Sequence, residues 1–339
     1  MPRLAHQCDT NTVTSALQDE NPHMNVSETF LYTAEIVAPV FLIVFLGIYL
    51  TQKKLIDQHF VSVSSKLVFT VTLPTLLFIN VVQTDFDTVF NAGQIGVSIL
   101  ATVLSFIVVW YLSPTFVTRG DRGVFTQGAC RGNLGIVGLA LCINMYGSEG
   151  LAAASLVLAI IIPLYNVLSV IVLNLSLHEH GQLPWKKIFS EIAKNPLIIA
   201  VCLALPFSLM KLQIPTILIN TGDYLANMTL PLALLGIGGV LSLKELKTTS
   251  TPSIAAALLK TLILPALCTL GAYLWGLRGV HLGVLYLLFS SPTATVSFIM
   301  VRAMNGNAPL AANMILLSTL GSLISLSAGI YILRLYQLI

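Results

Sequence analysis

The strongest constraint on how this chain folds is an apolar stretch that resists being a regular helix, Arg131-Gly132-Asn133-Leu134-Gly135-Ile136-Val137-Gly138-Leu139-Ala140. It opens a run uncharged from Gly132 to Ser148, long enough to cross most of a hydrocarbon layer about 30 Å thick. Each glycine inside a helix costs roughly 1 kcal/mol relative to alanine, and three of them fall within seven residues here. An asparagine at that depth needs a hydrogen-bonding partner. A second interrupted run, Leu282 to Val301, carries Ser290-Ser291-Pro292-Thr293-Ala294-Thr295. Its proline removes a backbone donor and collides with the preceding turn. Non-helical backbone survives at membrane depth only where protein or a water-filled cavity satisfies it. Two interrupted segments at corresponding places in two halves of a chain point to a transporter binding site.

Composition places the chain in a bilayer. Charged residues make up 9% of its 339 residues and hydrophobic residues 56%, whereas a soluble domain carries about 25% charged residues. The net charge of +3 says little about partners, because in a membrane protein the placement of basic residues matters more than their sum. No nucleic-acid partner and no cofactor are expected. Cys130, Cys142, Cys202 and Cys268 lie in or beside apolar runs without metal-ligand pairing and read as small buried residues. His178-x-His180 has the spacing of a metal pair but reads as a solvated loop, so no metal site is expected. Residues 1–30 are polar, lack the apolar core of a signal peptide, and are expected to be a disordered tail. Met24 stands just ahead of the first apolar run, so residues 1–23 are expected to precede the functional start.

Charge divides the remainder into ten apolar segments, each close to the ~20 residues a helical span needs. They are Ile36–Gln52, Leu67–Thr84, a third within Thr88–Thr118, the interrupted Phe125–Gly147, Gly150–Leu177, Asn195 to about Met210, Tyr224–Leu243, Ser253–Leu277, the interrupted Leu282–Val301, and a tenth within Ala303–Leu333. Alternate loops hold Lys53, Lys54, Lys66, Arg119, Arg122, Lys186, Lys187, Lys194, Lys244 and Lys247; the others hold only Lys211 and Arg278 as cations. The first set is therefore expected on the cytoplasmic side of the cell membrane, with both termini outside. Five spans per half is an odd number, so a second half built like the first runs inverted. Thr72-Leu73-Pro74 recurs as Thr229-Leu230-Pro231, and Tyr146-Gly147 with Leu151-Ala152-Ala153 recurs as Asn305-Gly306 with Leu310-Ala311-Ala312. The near-constant offset supports an inverted repeat, with residues 31–177 as the first half, 178–194 as a short cytoplasmic loop and 195–339 as the second half.

These landmarks resemble the auxin efflux carrier family, the transporters that include plant PIN proteins and bacterial dicarboxylate carriers. The resemblance rests on Leu73-Pro74, on Asn133 to Leu141 followed by Met145-Tyr146-Gly147, on Asn195-Pro196, and on Pro292 followed by Phe298-Ile299-Met300-Val301-Arg302. It covers roughly residues 32–335. It implies an all-α membrane fold of ten helices in two inverted five-helix repeats, as in the bile-acid symporters and sodium/proton antiporters, with segments four and nine crossing as broken helices around the substrate. It also implies that Asn133 and Pro292 are the crossover residues, that Arg302 occupies a basic position of the PIN proteins, and that the protein is an elevator-type homodimer. Ala140 stands where PIN proteins have a proline. The short central loop is of the bacterial type.

Each interrupted helix offers a half-helix N-terminus at mid-membrane, with free N–H groups and partial positive charge, a setting that attracts carboxylates. The expected substrate is a small organic anion such as malate, malonate or an auxin-like acid. Asn133, Ser291, Thr293 and Thr295 are expected to donate hydrogen bonds to it, and Gly135 and Gly138 to let it approach the backbone. For the asparagine and the hydroxyls the competing role is bonding between or within helices. Asn80 and Gln83, and Asn166 and Ser169, either face the same cavity or tie helices together. Arg131 either draws anions inward or snorkels to headgroups, while Lys260 and Arg302 read as snorkelling. All fourteen acidic residues lie in tails, loops or segment ends, which weakens sodium-coupled and proton-exchanging relatives, often built on buried carboxylates. A sodium-coupled symporter of the bile-acid type, or a channel or non-transporting membrane protein, stays as the alternative. No catalytic constellation can be assembled at one depth, so an enzyme is not expected.

Overall fold

A computed structural model describes residues 26–83, 91–177, 190, 193–194, 196–241 and 251–339. Most of the tail and the central loop, with His178, His180, Lys186 and Lys187, lies outside the described residues, as do Asp85, Asp87, Asn195, Lys244 and Lys247. The described chain is helical throughout, apart from loops and one isolated antiparallel bridge. Helices α1 (Val26–Gln52), α2 (Gln58–Gln83) and α3 (Ala92–Leu112) are followed by α4 (Arg122–Cys130) and α5 (Leu139–Leu177). Then come α6 (Pro196–Leu209), α7 (Thr216–Asn227), α8 (Thr229–Val240), α9 (Thr251–Leu274), α10 (Gly279–Ser290), α11 (Val296–Ala303) and α12 (Ala308–Leu335). Among the described residues, six stretches are long and apolar enough to cross a membrane: Leu31–Gln52, Gln58–Gln83, Ala92–Thr115, Leu134–Leu177, Thr251–Leu274 and Ala308–Leu335. The chain is a multi-pass integral membrane protein. Helix α1 begins at Val26, five residues inside the stretch expected to be disordered.

Local chemistry explains where helices start and bend. Asp57 caps α2 by accepting from the Phe60 N–H at 2.8 Å, and Asn91 caps α3 by accepting from Gln94 at 2.9 Å. Asn307 does the same for α12 through Leu310. Proline cannot donate and crowds the carbonyl four residues back, so the turn before it widens. In α2 a π-helical turn, Val68–Thr72, immediately precedes Leu73-Pro74; in α9 another, Leu259–Ile263, precedes Leu264-Pro265. The 44-residue stretch Leu134–Leu177 exceeds one span because it is two legs. Gly147, at φ 57°, turns the chain between them, a backbone conformation open to glycine.

Packing gathers the helices into two sets. Helices α1, α2, α6, α7 and α8 pack on one another, and α3, α4, α5, α9, α10, α11 and α12 form the other set. Helix α12 leans on α1, and α5 touches α1, α2 and α6, joining the sets. Within the first set Gly47 and Gly238 bring α1 and α8 backbone to backbone: a Cβ on Gly238 would strike the Val44 carbonyl, and one on Gly47 the Leu235 carbonyl. Small residues allow that approach in membranes, where burial in lipid supplies no hydrophobic drive.

Candidate functional site

Both interruptions expected from the sequence are present, and they meet. Helix α4 ends at Cys130, Arg131 is extended (φ −77°, ψ 104°), and the chain re-enters a π-helical turn at Leu134–Gly138 before α5. Helix α10 ends at Ser290, Ser291 to Thr295 are not helical, and α11 begins at Val296. The two breaks satisfy each other's backbone. Asn133 N–H donates to the Pro292 carbonyl at 2.7 Å, and Ala294 N–H donates to the Arg131 carbonyl at 3.0 Å, around the Gly132–Thr293 bridge. These exchanges replace helical bonds that the unwound backbone around Gly132 and Pro292 does not make, so the crossing survives away from water.

Side chains then lock the crossing. Thr293 Oγ1 donates to the Gly128 carbonyl at 2.7 Å, and Thr293 N–H donates to Ser318 Oγ of α12 at 3.0 Å. Ser291 Oγ donates to the Leu288 carbonyl at 2.6 Å, one turn back on α10. The hydroxyl hydrogens of Ser291 and Thr293, expected to face a substrate, are thus given to protein carbonyls. Gly138 does not open onto a ligand either: its missing side chain admits Leu288 of α10, whose Cα would stand 3.3 Å from a Cβ there. Gly135 faces Ile162 and Leu73 at ordinary contact distance. Asn133 is different. It is 6% exposed, and its side chain caps nothing and makes no hydrogen bond among the described residues. Thr295, half-buried at the start of α11, likewise has no side-chain partner among them.

Two buried cations flank the crossing. Arg131 is 5% exposed and turned into the protein rather than to the headgroups, which excludes snorkelling. Its Nη2 donates to Asn166 Oδ1 at 2.6 Å, and its Nη1 reaches Ser169 Oγ at 3.3 Å and Met300 Sδ at 3.0 Å. Asn166 and Ser169 of α5, open in the sequence between cavity and glue, are the pair that holds this guanidinium. Asn80 is buried on α2, outside this cluster.

Lys260 corrects the sequence reading outright. Instead of snorkelling it is 2% exposed, and Nζ donates to the Phe289 carbonyl at the end of α10, at 2.6 Å. It stands nine residues into α9, roughly 14 Å along the axis, too deep for its side chain to return to the surface. That depth was the available signal, together with Leu264-Pro265 just beyond. Arg302, by contrast, is exposed at the end of α11. Apart from Glu28, whose side chain is not described, Glu35, Asp57 and Glu149 are exposed in the described chain and Asp121 and Asp223 half-buried, Asp223 on α7; no carboxylate joins the two cations among the described residues. Nor do those residues gather three metal-ligating side chains anywhere.

Comparison with known proteins agrees with this architecture. A family model described as "Membrane transport protein" matches residues 32–330. The chain is 24% identical over 300 residues to an uncharacterized transporter of Methanothermobacter thermautotrophicus, covering 88% of this chain and 97% of that protein. It is similar, at 24% over 307 residues, to an uncharacterized transporter of Methanocaldococcus jannaschii, covering 88% of this chain and 98% of the relative. It also matches the uncharacterized transporter YfdV of Escherichia coli O157:H7 at 24% over 306 residues, 88% of this chain and 96% of the relative. A chain matched along nearly its whole membrane region, helical and multi-pass, with its two broken helices joined at their breaks, belongs to the membrane transport protein family, the auxin efflux carriers, and is a transporter rather than an enzyme.

Proposed function

We propose that this transporter is a secondary carrier that moves a small organic anion, a carboxylate such as malate, malonate or an auxin-like acid, across the cell membrane by alternating access. The observation that carries the reading is the charge of the crossing: Arg131 and Lys260 are buried beside it with only neutral partners among the described residues. A buried charge without a counter-charge is costly, and an anionic substrate supplies what is missing. The half-helix N-termini after Asn133 and Thr295 add partial positive charge. Asn133 and Thr295, whose side chains make no hydrogen bond among the described residues, are the donors we assign to it, with Arg131 as the attracting charge. Ser291, Pro292 and Thr293 shape the second break, and Gly135 and Gly138 the first.

Details of the fold favour ten spans in two inverted five-helix repeats. The widened turn before Leu73-Pro74 is matched by the interruption at Met228 before Leu230-Pro231. Gly147 and Asn305, each in one of the paired dipeptides Tyr146-Gly147 and Asn305-Gly306 after the two crossover segments, both have φ 57°. The two helix sets suit an elevator, in which the set carrying the crossing slides against the other, both termini lying outside, within a homodimer. The test is a thermal-shift panel of mono- and dicarboxylates on purified protein, followed by uptake of the stabilising compound into proteoliposomes. Saturable, competitively inhibited uptake is expected. Stabilisation by no carboxylate, or large unitary currents in place of saturable uptake, would end the anion-carrier reading.

A further inference from the structure

Lys260 has no role in the reading above beyond its charge, and its geometry is more specific than that. It sits in the π-helical turn Leu259–Ile263 of α9, a widened turn of the kind found at functional sites. From there Nζ reaches the Phe289 carbonyl, one of the last of the twelve-residue α10. The final carbonyls of a helix have no partner inside the helix and carry about half a negative charge. Nζ and Ser291 Oγ also stand 3.0 and 2.8 Å from the point that a side chain on Gly132 would occupy. The ammonium therefore lies where α10 stops and the two breaks touch. Its acceptor among the described residues is that one carbonyl.

We propose that Lys260 is a built-in counter-cation for the end of α10, filling with its ammonium the place that a bound sodium or potassium ion would need there. The proposal rests on the paired breaks being the transport site. A monovalent metal ion is held by backbone carbonyls and hydroxyls, and here the Phe289 carbonyl is already taken by a fixed positive charge. Such a lysine brings that charge on the chain itself, so the end of α10 needs no metal cation from solution. Lys260 is a positioning residue in this scheme: it holds the end of α10 against Gly132 and touches no substrate.

The experiment compares melting of the purified full-length protein in sodium, potassium and choline chloride at equal ionic strength. Wild type is expected to melt alike in all three. Lys260→Ala is expected to melt lower by roughly 5 °C in choline and to recover saturably in sodium or potassium. Lys260→Arg, which keeps the charge, should stay indifferent to the cation. Lys260→Gln, closer in volume, is read by the same criteria where the alanine variant does not fold. Saturable stabilisation of wild type by sodium overturns the proposal. So does a neutral variant that melts like wild type, or one that melts lower and recovers in no cation. No carboxylate enters this experiment, so its failure strikes the role of Lys260 alone, while failure of the carboxylate panel strikes the anion reading alone.

Discussion

The guanidinium of Arg131 and the side-chain carbonyl of Asn166 are joined by a 2.6 Å hydrogen bond in the interior of the protein. This pairing leaves the positive charge of Arg131 in place, because asparagine satisfies a donor without neutralising it. An aspartate at 166 would do both. Two opposite charges at contact distance near a protein surface attract by about 4 kcal/mol, and an anion from solution would then compete with a resident carboxylate. Asn166→Asp is expected to weaken carboxylate binding more than tenfold while leaving the melting temperature unchanged or raised. Titration of the stabilising carboxylate against both proteins checks it, and equal affinities would show that Arg131 does not face the substrate.

Asn133 gives the second prediction. Its backbone is committed to Pro292, but its side chain bonds nothing among the described residues. Removing the amide should leave the crossing intact. Asn133→Ala is expected to cut transport more than tenfold, about 1.4 kcal/mol of lost interaction, with unaltered protein levels and melting. Uptake that keeps its rate and its half-saturating concentration would withdraw the role assigned to Asn133.

Much of this architecture was legible beforehand, and the reason is physical. In a membrane, backbone that is not helical must be satisfied by something, so glycines and proline in an apolar run mark the breaks without any alignment. Gly132, Asn133 and Pro292 could be picked out that way. What each side chain does at the break could not. Ser291 and Thr293 look identical in the sequence to hydroxyls facing a cavity, yet they bond Leu288 and Gly128. Whether a glycine admits a ligand or a helix depends on which neighbour arrives, and at Gly138 it is Leu288. Lys260 was misread because a snorkelling side chain was assigned without weighing its depth, nine residues past Thr251, where α9 starts.

Thr293 tests how the crossing is held. Its hydroxyl bridges the second break to α4 through the Gly128 carbonyl, and both groups are buried. Thr293→Val preserves shape but strands that carbonyl, and should cost about 1–3 kcal/mol. Thr293→Ser keeps the donor and should recover most of the loss. Denaturation of the two variants in one detergent decides between them: valine and serine equally stable would mean that the bond contributes nothing.

The contact of α1 with α8 gives the last prediction. A Cβ at Gly238 would meet the Val44 carbonyl and the backbone of Ile48, with Gly47 2.9 Å away. None of these is the free end of a flexible side chain, so the two helices must separate to accept it. Overpacking a close contact costs typically 1–3 kcal/mol. Here the shift also spreads to Gly47, whose own close approach to α8 is with Leu235 and Gly238. Gly238→Ala should therefore lower the melting temperature at least as far as Gly138→Ala, because Gly138 meets the end of the Leu288 side chain first, at 3.0 Å. The two should differ in function. Displacing α8 from α1 acts within a helix set that does not carry the crossing, so Gly238→Ala should leave carboxylate affinity near wild type in the protein that folds. Gly138→Ala pushes α10 away from the first break and should weaken affinity severalfold. Measuring melting and carboxylate titration on both variants separates these effects, and a Gly238→Ala protein that loses affinity while keeping its stability would show that the two helix sets do not act as separate bodies.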